Sequence, residues 1–75
     1  MENTPLVRVE GIAEEALPGL LFRVRVKLEN GEEKDVLAHP AGKLKINLIR
    51  VIPGDRVIVE MANILDKRGR IVRRL

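Results

Sequence analysis

Seven consecutive residues, Phe22-Arg23-Val24-Arg25-Val26-Lys27-Leu28, alternate apolar and basic without a break. Successive side chains of a strand point to opposite faces, so this period belongs to a half-buried β-strand; on a helix it would scatter both classes around the axis. One face packs and the other, carrying Arg23, Arg25 and Lys27, meets water or a ligand. Pro18 and Gly19 form a turn back to an earlier strand that contains Val7 and Val9, and Glu29-Asn30-Gly31 closes a hairpin on the other side. Charge decides the register of that hairpin. A two-residue Asn-Gly loop sets Lys27 opposite Lys34, which is repulsive. A three-residue loop with Gly31 in the left-handed position of a bulged turn instead predicts Lys27 opposite Glu33, Arg25 opposite Asp35, Val24 opposite Val36 and Phe22 opposite Ala38.

The third strand is predicted over residues 36–39, ended by Pro40, and a short helix over residues 42–49 with Leu44 and Leu48 on one face. Pro53-Gly54-Asp55 turns the chain into a fourth strand over Arg56–Met61. A polar loop over residues 62–68 leads to a last short strand at Ile71 and Val72. Five strands with one short helix between strands three and four make an all-β OB-fold, a partly open Greek-key barrel that commonly binds nucleic acids or oligosaccharides. At 75 residues the chain fits one domain spanning 1–75. Without cysteines it depends on burial alone, and 26 Leu, Ile and Val residues are enough for a thin core.

Enzymatic chemistry is poorly supplied. The chain has no Ser, Cys or Tyr, one Thr and a single histidine, His39, so no Ser-His-Asp or Cys-His arrangement can be built, His39 has no second His or Cys to share a metal, and no metal or cofactor is expected. Gly42-Lys43 lacks the Gly-rich spacing of a phosphate loop. No apolar run approaches the roughly 18 residues that span a bilayer, and acidic Glu2 near the start is unlike a secretion signal, so a cytoplasmic location away from membranes is expected.

Charge is the strongest remaining signal. The net charge of +3 divides into five Lys/Arg against eight Asp/Glu in residues 1–35, and nine against three in residues 36–75. The cations of the second half cluster. Lys43, Lys45, Asn47 and Arg50 lie in or just after the expected helix, and Lys67, Arg68, Arg70, Arg73 and Arg74 crowd the last loop and strand. On one side of a barrel the two groups can flank a groove that follows a phosphate backbone; scattered over it they are a solvated shell. Base stacking cannot be the main mechanism, since Phe22 is the only aromatic residue and falls in the inward series of its strand. Folded RNA read through shape and phosphates is therefore the favoured partner. His39 is read as a locally hydrogen-bonded strand-end residue, with RNA contact as the alternative, and Gly42 and Phe22 are further candidates for RNA contact.

Ten short stretches carry a further signal: Val9-Glu10-Gly11, Glu15-Ala16-Leu17-Pro18, Phe22-Arg23-Val24, Leu28-Glu29-Asn30-Gly31, Leu37-Ala38-His39, Gly42-Lys43, Asn47, Ile49-Arg50, Pro53-Gly54-Asp55 and Arg68-Gly69-Arg70-Ile71. In order and spacing they resemble bacterial translation initiation factor one across nearly the whole chain. The resemblance implies an OB-fold like the repeated domain of the largest small-subunit ribosomal protein. It also implies a monomer that occupies the aminoacyl-tRNA site of the small ribosomal subunit beside a ribosomal protein, acts with the other initiation factors, and blocks premature tRNA entry without chemistry. Gly42, Lys43, Lys45, Asn47 and Arg50 match the family's segment facing decoding-site RNA, and Arg68, Gly69 and Arg70 match its basic loop.

Where that family usually has two basic residues followed by Asn and Tyr, this chain reads Lys45-Ile46-Asn47-Leu48. An expected aromatic is replaced near Ile64, and the tail ends Arg73-Arg74-Leu75. Two extra residues stand on each side of the Asn30-Gly31 turn, a change that lengthens the hairpin without flipping its faces. Its acidic tip is expected to point away from RNA or to meet a basic protein. A general RNA chaperone or divergent paralogue on the same barrel, and a protein-protein adaptor, are the competing readings.

Overall fold

A computed structural model describes residues 6–42, 44 and 50–75. Five strands, β1 (Val7–Leu17), β2 (Leu21–Lys27), β3 (Glu33–Pro40), β4 (Arg56–Met61) and β5 (Arg68–Arg74), close into a barrel in the order β1-β2-β3-β5-β4. All pairings are antiparallel except β3 with β5. Closure leaves no long sheet edge exposed, and the parallel β3-β5 ladder, formed between strands nearly thirty residues apart, is the seam that achieves it. The inward rows of all five strands meet in one core that includes Val24, Val26, Val36, Val57, Val59, Met61 and Ile71.

The hairpin register follows the charge argument. Lys27 faces Glu33, Arg25 faces Asp35, Val24 faces Val36 and Phe22 faces Ala38. Gly31 has φ 89°, its amide donates to the Leu28 carbonyl, and the Leu28 amide donates to the Glu32 carbonyl. That is the bulged three-residue loop, and the positive φ is the reason glycine stands there.

Three features of the strands differ from expectation. β3 begins at Glu33 and runs through Pro40 instead of ending before it. Pro40 is tolerated because β2 no longer flanks it: the ladder to β2 stops at Phe22 opposite Ala38, and Pro40 pairs only with Ile71 of β5, so its missing N–H breaks no bond. β5 spans seven residues where a two-residue strand was expected, and the loop before it ends one residue earlier, at Lys67. The arginines of β5 hide its alternation, and its pairing with distant β3 is not visible locally. β1 carries a bulge between Ala13 and Glu15, which leaves Glu14 unpaired in register and turns it outward beside Glu15. The short helix expected over residues 42–49 lies, apart from Gly42 and Leu44, outside the described residues; Leu44 is buried and its amide donates to the Ala41 carbonyl at 3.0 Å.

Candidate nucleic-acid interface

On the outer face shared by β1, β2 and β3, the two arginines of β2 are neutralised within the sheet. Arg25 meets Glu14 at 3.2 Å, Arg23 meets Glu15 at 3.2 Å, and both guanidinium groups also reach Asp35. A hydrogen bond from Arg23 to Glu15, reinforced by the neighbouring acids, raises the Arg23 pKa above its ordinary value. Exposed pairs of this kind stabilise by about 0–1 kcal/mol each. Their larger consequence is to neutralise Arg23 and Arg25, two of the three cations that the strand alternation exposes, and the β1 bulge supplies the extra acid.

β5 is different. Arg68, Arg73, Arg74 and the preceding Lys67 are exposed and form no ion pair among the described residues. The Arg74 guanidinium donates to the Arg50 carbonyl at 3.0 Å, so the end of β5 touches the end of the segment that carries the other basic cluster. Arg50 and Gly42 are exposed, whereas Lys43, Lys45 and Asn47 lie outside the described residues. His39 is exposed on β3 directly opposite Arg70 of the parallel ladder.

Two of the sequence candidates for RNA contact, Phe22 and Gly69, face the barrel interior. Phe22 is 7% exposed and belongs to the core, so its ring presents no face for stacking. Gly69 faces inward, and a Cβ there would lie 2.6 Å from Val59 and 2.9 Å from Met61. Its role is to let β5 approach β4 closely, as glycine in a strand often does.

Arg70 is not a free cation. Its Nη2 donates to Glu60 Oε1 at 2.6 Å, and Arg8 Nε donates to Glu60 Oε2 at 3.0 Å. The Glu60 side chain is only 6% exposed beneath the two guanidinium groups. Hydrogen bonds from Arg70 and then Arg8 hold its carboxyl below the ordinary value of 4.5, against the opposing effect of burial. A depressed carboxyl contributes stability above its unfolded pKa and loses it as pH falls through the folded value. The stability difference between wild type and Glu60→Gln is therefore expected to hold steady from neutrality to about pH 4.5 and to shrink below it. Urea melts across that range measure it, and a gap independent of pH would remove Glu60 from the acid response. Nothing beside Glu60 and Arg8 in the chain marks them as partners. The alternation of β4 does mark Glu60 as outward, but its partners sit on β1 and β5 and are supplied only by barrel order.

The loop over residues 62–67, which delivers the chain to Arg68, is built rather than slack. Asn63 and Asp66 side chains accept backbone N–H bonds from Leu65 and Asn63, and the Asp66 amide donates to the Asn63 carbonyl. The Lys34 ammonium, from β3, donates to the carbonyls of Ile64 and Asp66, the latter at 2.8 Å. Leu28 and Ile64 also pack against the core. The lengthened hairpin thus braces the loop that precedes β5.

No protein-family model matches the chain. Among solved structures, the solution structure of translation initiation factor one from the Wolbachia endosymbiont strain TRS of Brugia malayi matches with a TM-score of 0.64 and 48% identity, covering 93% of this chain and 78% of that one. The chain belongs to the translation initiation factor one family. Membership makes it a translation initiation factor with an RNA-binding OB barrel, not an enzyme. The crystal structure of YjeQ from Thermotoga maritima also matches, with a TM-score of 0.68 and 25% identity over 92% of this chain but only 23% of that one. The barrel of this initiation-factor chain thus also resembles one part of a much longer protein.

Proposed function

We propose that the chain binds the small ribosomal subunit at the aminoacyl-tRNA (decoding) site, fills it during initiation and thereby excludes premature tRNA, in concert with the other initiation factors and next to a ribosomal protein. Its contact surface is the outer side of β5 together with the segment ending at Arg50: Lys67, Arg68, Arg73 and Arg74, joined by Lys43, Lys45, Asn47 and Gly42. The observation that carries this reading is the partition of cations. Arg23 and Arg25 of β2 are paired with Glu14, Glu15, Glu33 and Asp35, while Lys67 and, on β5, Arg68, Arg73 and Arg74 form no ion pair among the described residues and remain open to a polyanion. With Phe22 buried, recognition rests on phosphates and shape, which suits folded ribosomal RNA better than unstructured single strands.

The test is equilibrium binding to purified small subunits by wild type and by an Arg50→Ala, Arg68→Ala, Arg73→Ala variant. The variant is expected to bind about tenfold or more weakly, with the slope of log affinity against log salt reduced by about 2. Wild type is expected to protect decoding-site RNA from chemical probes and to compete with tRNA there. Equal binding by the variant, or protection elsewhere on the subunit, would overturn the proposed site.

A further inference from the structure

Three strands place Arg8, Glu60 and Arg70 in one row across the outside of the barrel: Arg8 of β1 is in register with Glu60 of β4, which is in register with Arg70 of β5. The carboxylate is shared and covered, while the cations remain open, with side-chain exposures of 67% for Arg8 and 51% for Arg70. Each arginine gives Glu60 a single nitrogen, Nε of Arg8 and Nη2 of Arg70. A guanidinium carries five N–H donors, so both retain most of their donors for an outside ligand. Beside this row Arg73, opposite Ile58, completes a shallow cleft with three arginines around one buried glutamate and an apolar floor of Ile58 and Val72.

We propose that this cleft carries the RNA-binding surface beyond the exposed cations of β5: Arg8, Arg70 and Arg73 hold a phosphodiester and the Ile58–Val72 floor takes the adjoining ribose or base, with Glu60 as the positioning residue. The site rests on the RNA-binding reading above and extends it from β5 around the barrel to β1. Its chemistry follows from the balance of charge. The cleft keeps two unneutralised positive charges, and Glu60 cannot repel a phosphate strongly because both its oxygens are already engaged and covered. Glu60 also fixes the two guanidinium planes before a ligand arrives, which lowers the entropy lost on binding. The position continues the basic track of β5, so one backbone with regularly repeated charge can run from Arg68 past Arg70 and Arg73 to Arg8.

Arg8→Ala, Arg8→Lys and, as a cation outside the cleft, Arg56→Ala are compared with wild type. Binding is measured on small subunits and on a labelled single-stranded RNA of mixed sequence, over a range of salt. Arg8→Ala is expected to bind about threefold to tenfold more weakly, with the salt slope reduced by about 0.7–0.9. Arg8→Lys should keep the slope because it keeps the charge, and Arg56→Ala should match wild type. Arg8→Ala that equals wild type on both ligands, or that weakens binding without changing the slope, overturns the cleft as a phosphate site while leaving the β5 surface intact. Wild type that binds RNA but not subunits overturns the ribosomal reading instead, and the oligonucleotide series then decides the cleft. Wild type that binds neither overturns both.

Discussion

Gly11→Ala is expected to destabilise the protein by about 3 kcal/mol or more, the upper range for forcing extra volume into a packed site. Gly11 is the residue at which β1 is shared. It pairs with Val26 of β2 on one side and with Val57 of β4 on the other, where the strand passes from one half of the barrel to the other. A Cβ at Gly11 would sit 2.7 Å from the Arg25 carbonyl oxygen, 2.7 Å from Val24 and 2.8 Å from Val26. One of those neighbours is backbone held in the β2-β3 ladder, so relief requires prying β1 away from β2. A domain of this size has about 4–11 kcal/mol of total stability, so the loss is a large part of the whole. Thermal melts should show a fall of roughly 12 °C or more. A change below about 1 kcal/mol in urea would mean that the barrel yields at this corner, contrary to the close packing of protein interiors.

Ile71→Ala is expected to cost about 3–4 kcal/mol, within the range for deleting a large buried aliphatic chain. Ile71 is fully buried and faces both seams of the barrel: it is in register with Pro40 across the parallel ladder and with Val59 across the antiparallel one. Neighbours on three strands cannot collapse into the gap without opening closure. The backbone bond from the Ala41 amide to the Ile71 carbonyl, at 2.8 Å, is retained by the substitution, so the loss isolates packing. Well below its lowered melting temperature the variant should bind RNA nearly as wild type does, because Arg68 and Arg73 are exposed and take no part in that packing. Affinity that falls in step with the loss of stability at all temperatures would contradict that separation of core from surface.

These two positions illustrate the limits of reading along the chain. Local alternation identified β2, and the charges of Lys27, Arg25, Glu33 and Asp35 were enough to select its register with β3 among the alternatives, because strand neighbours joined by a tight turn interact within a few residues. The bounds of β4 and the turns at Pro18-Gly19 and Pro53-Gly54 were legible for the same reason. Gly11 gave no such sign, since its constraint comes from atoms on β2. The basic content of β5 was visible, but its length was not.

What the sequence determined on its own was therefore the local and the compositional: an all-β chain, the hairpin register, the concentration of cations after residue 36, and a residue inventory without Ser, Cys or Tyr. Tertiary structure alone decided which cations stay free. Arg23 and Arg25 look as available as Arg68 and Arg73 in the sequence, yet a β1 bulge brings Glu14 and Glu15 to the first pair. It likewise turned Gly69 inward and gathered Arg8, Glu60 and Arg70 from three strands into one row. The physical reason is the same in each case: strand order and barrel closure set which distant residues become neighbours, and a side chain's charge and exposure depend on those neighbours rather than on the residues beside it in the chain.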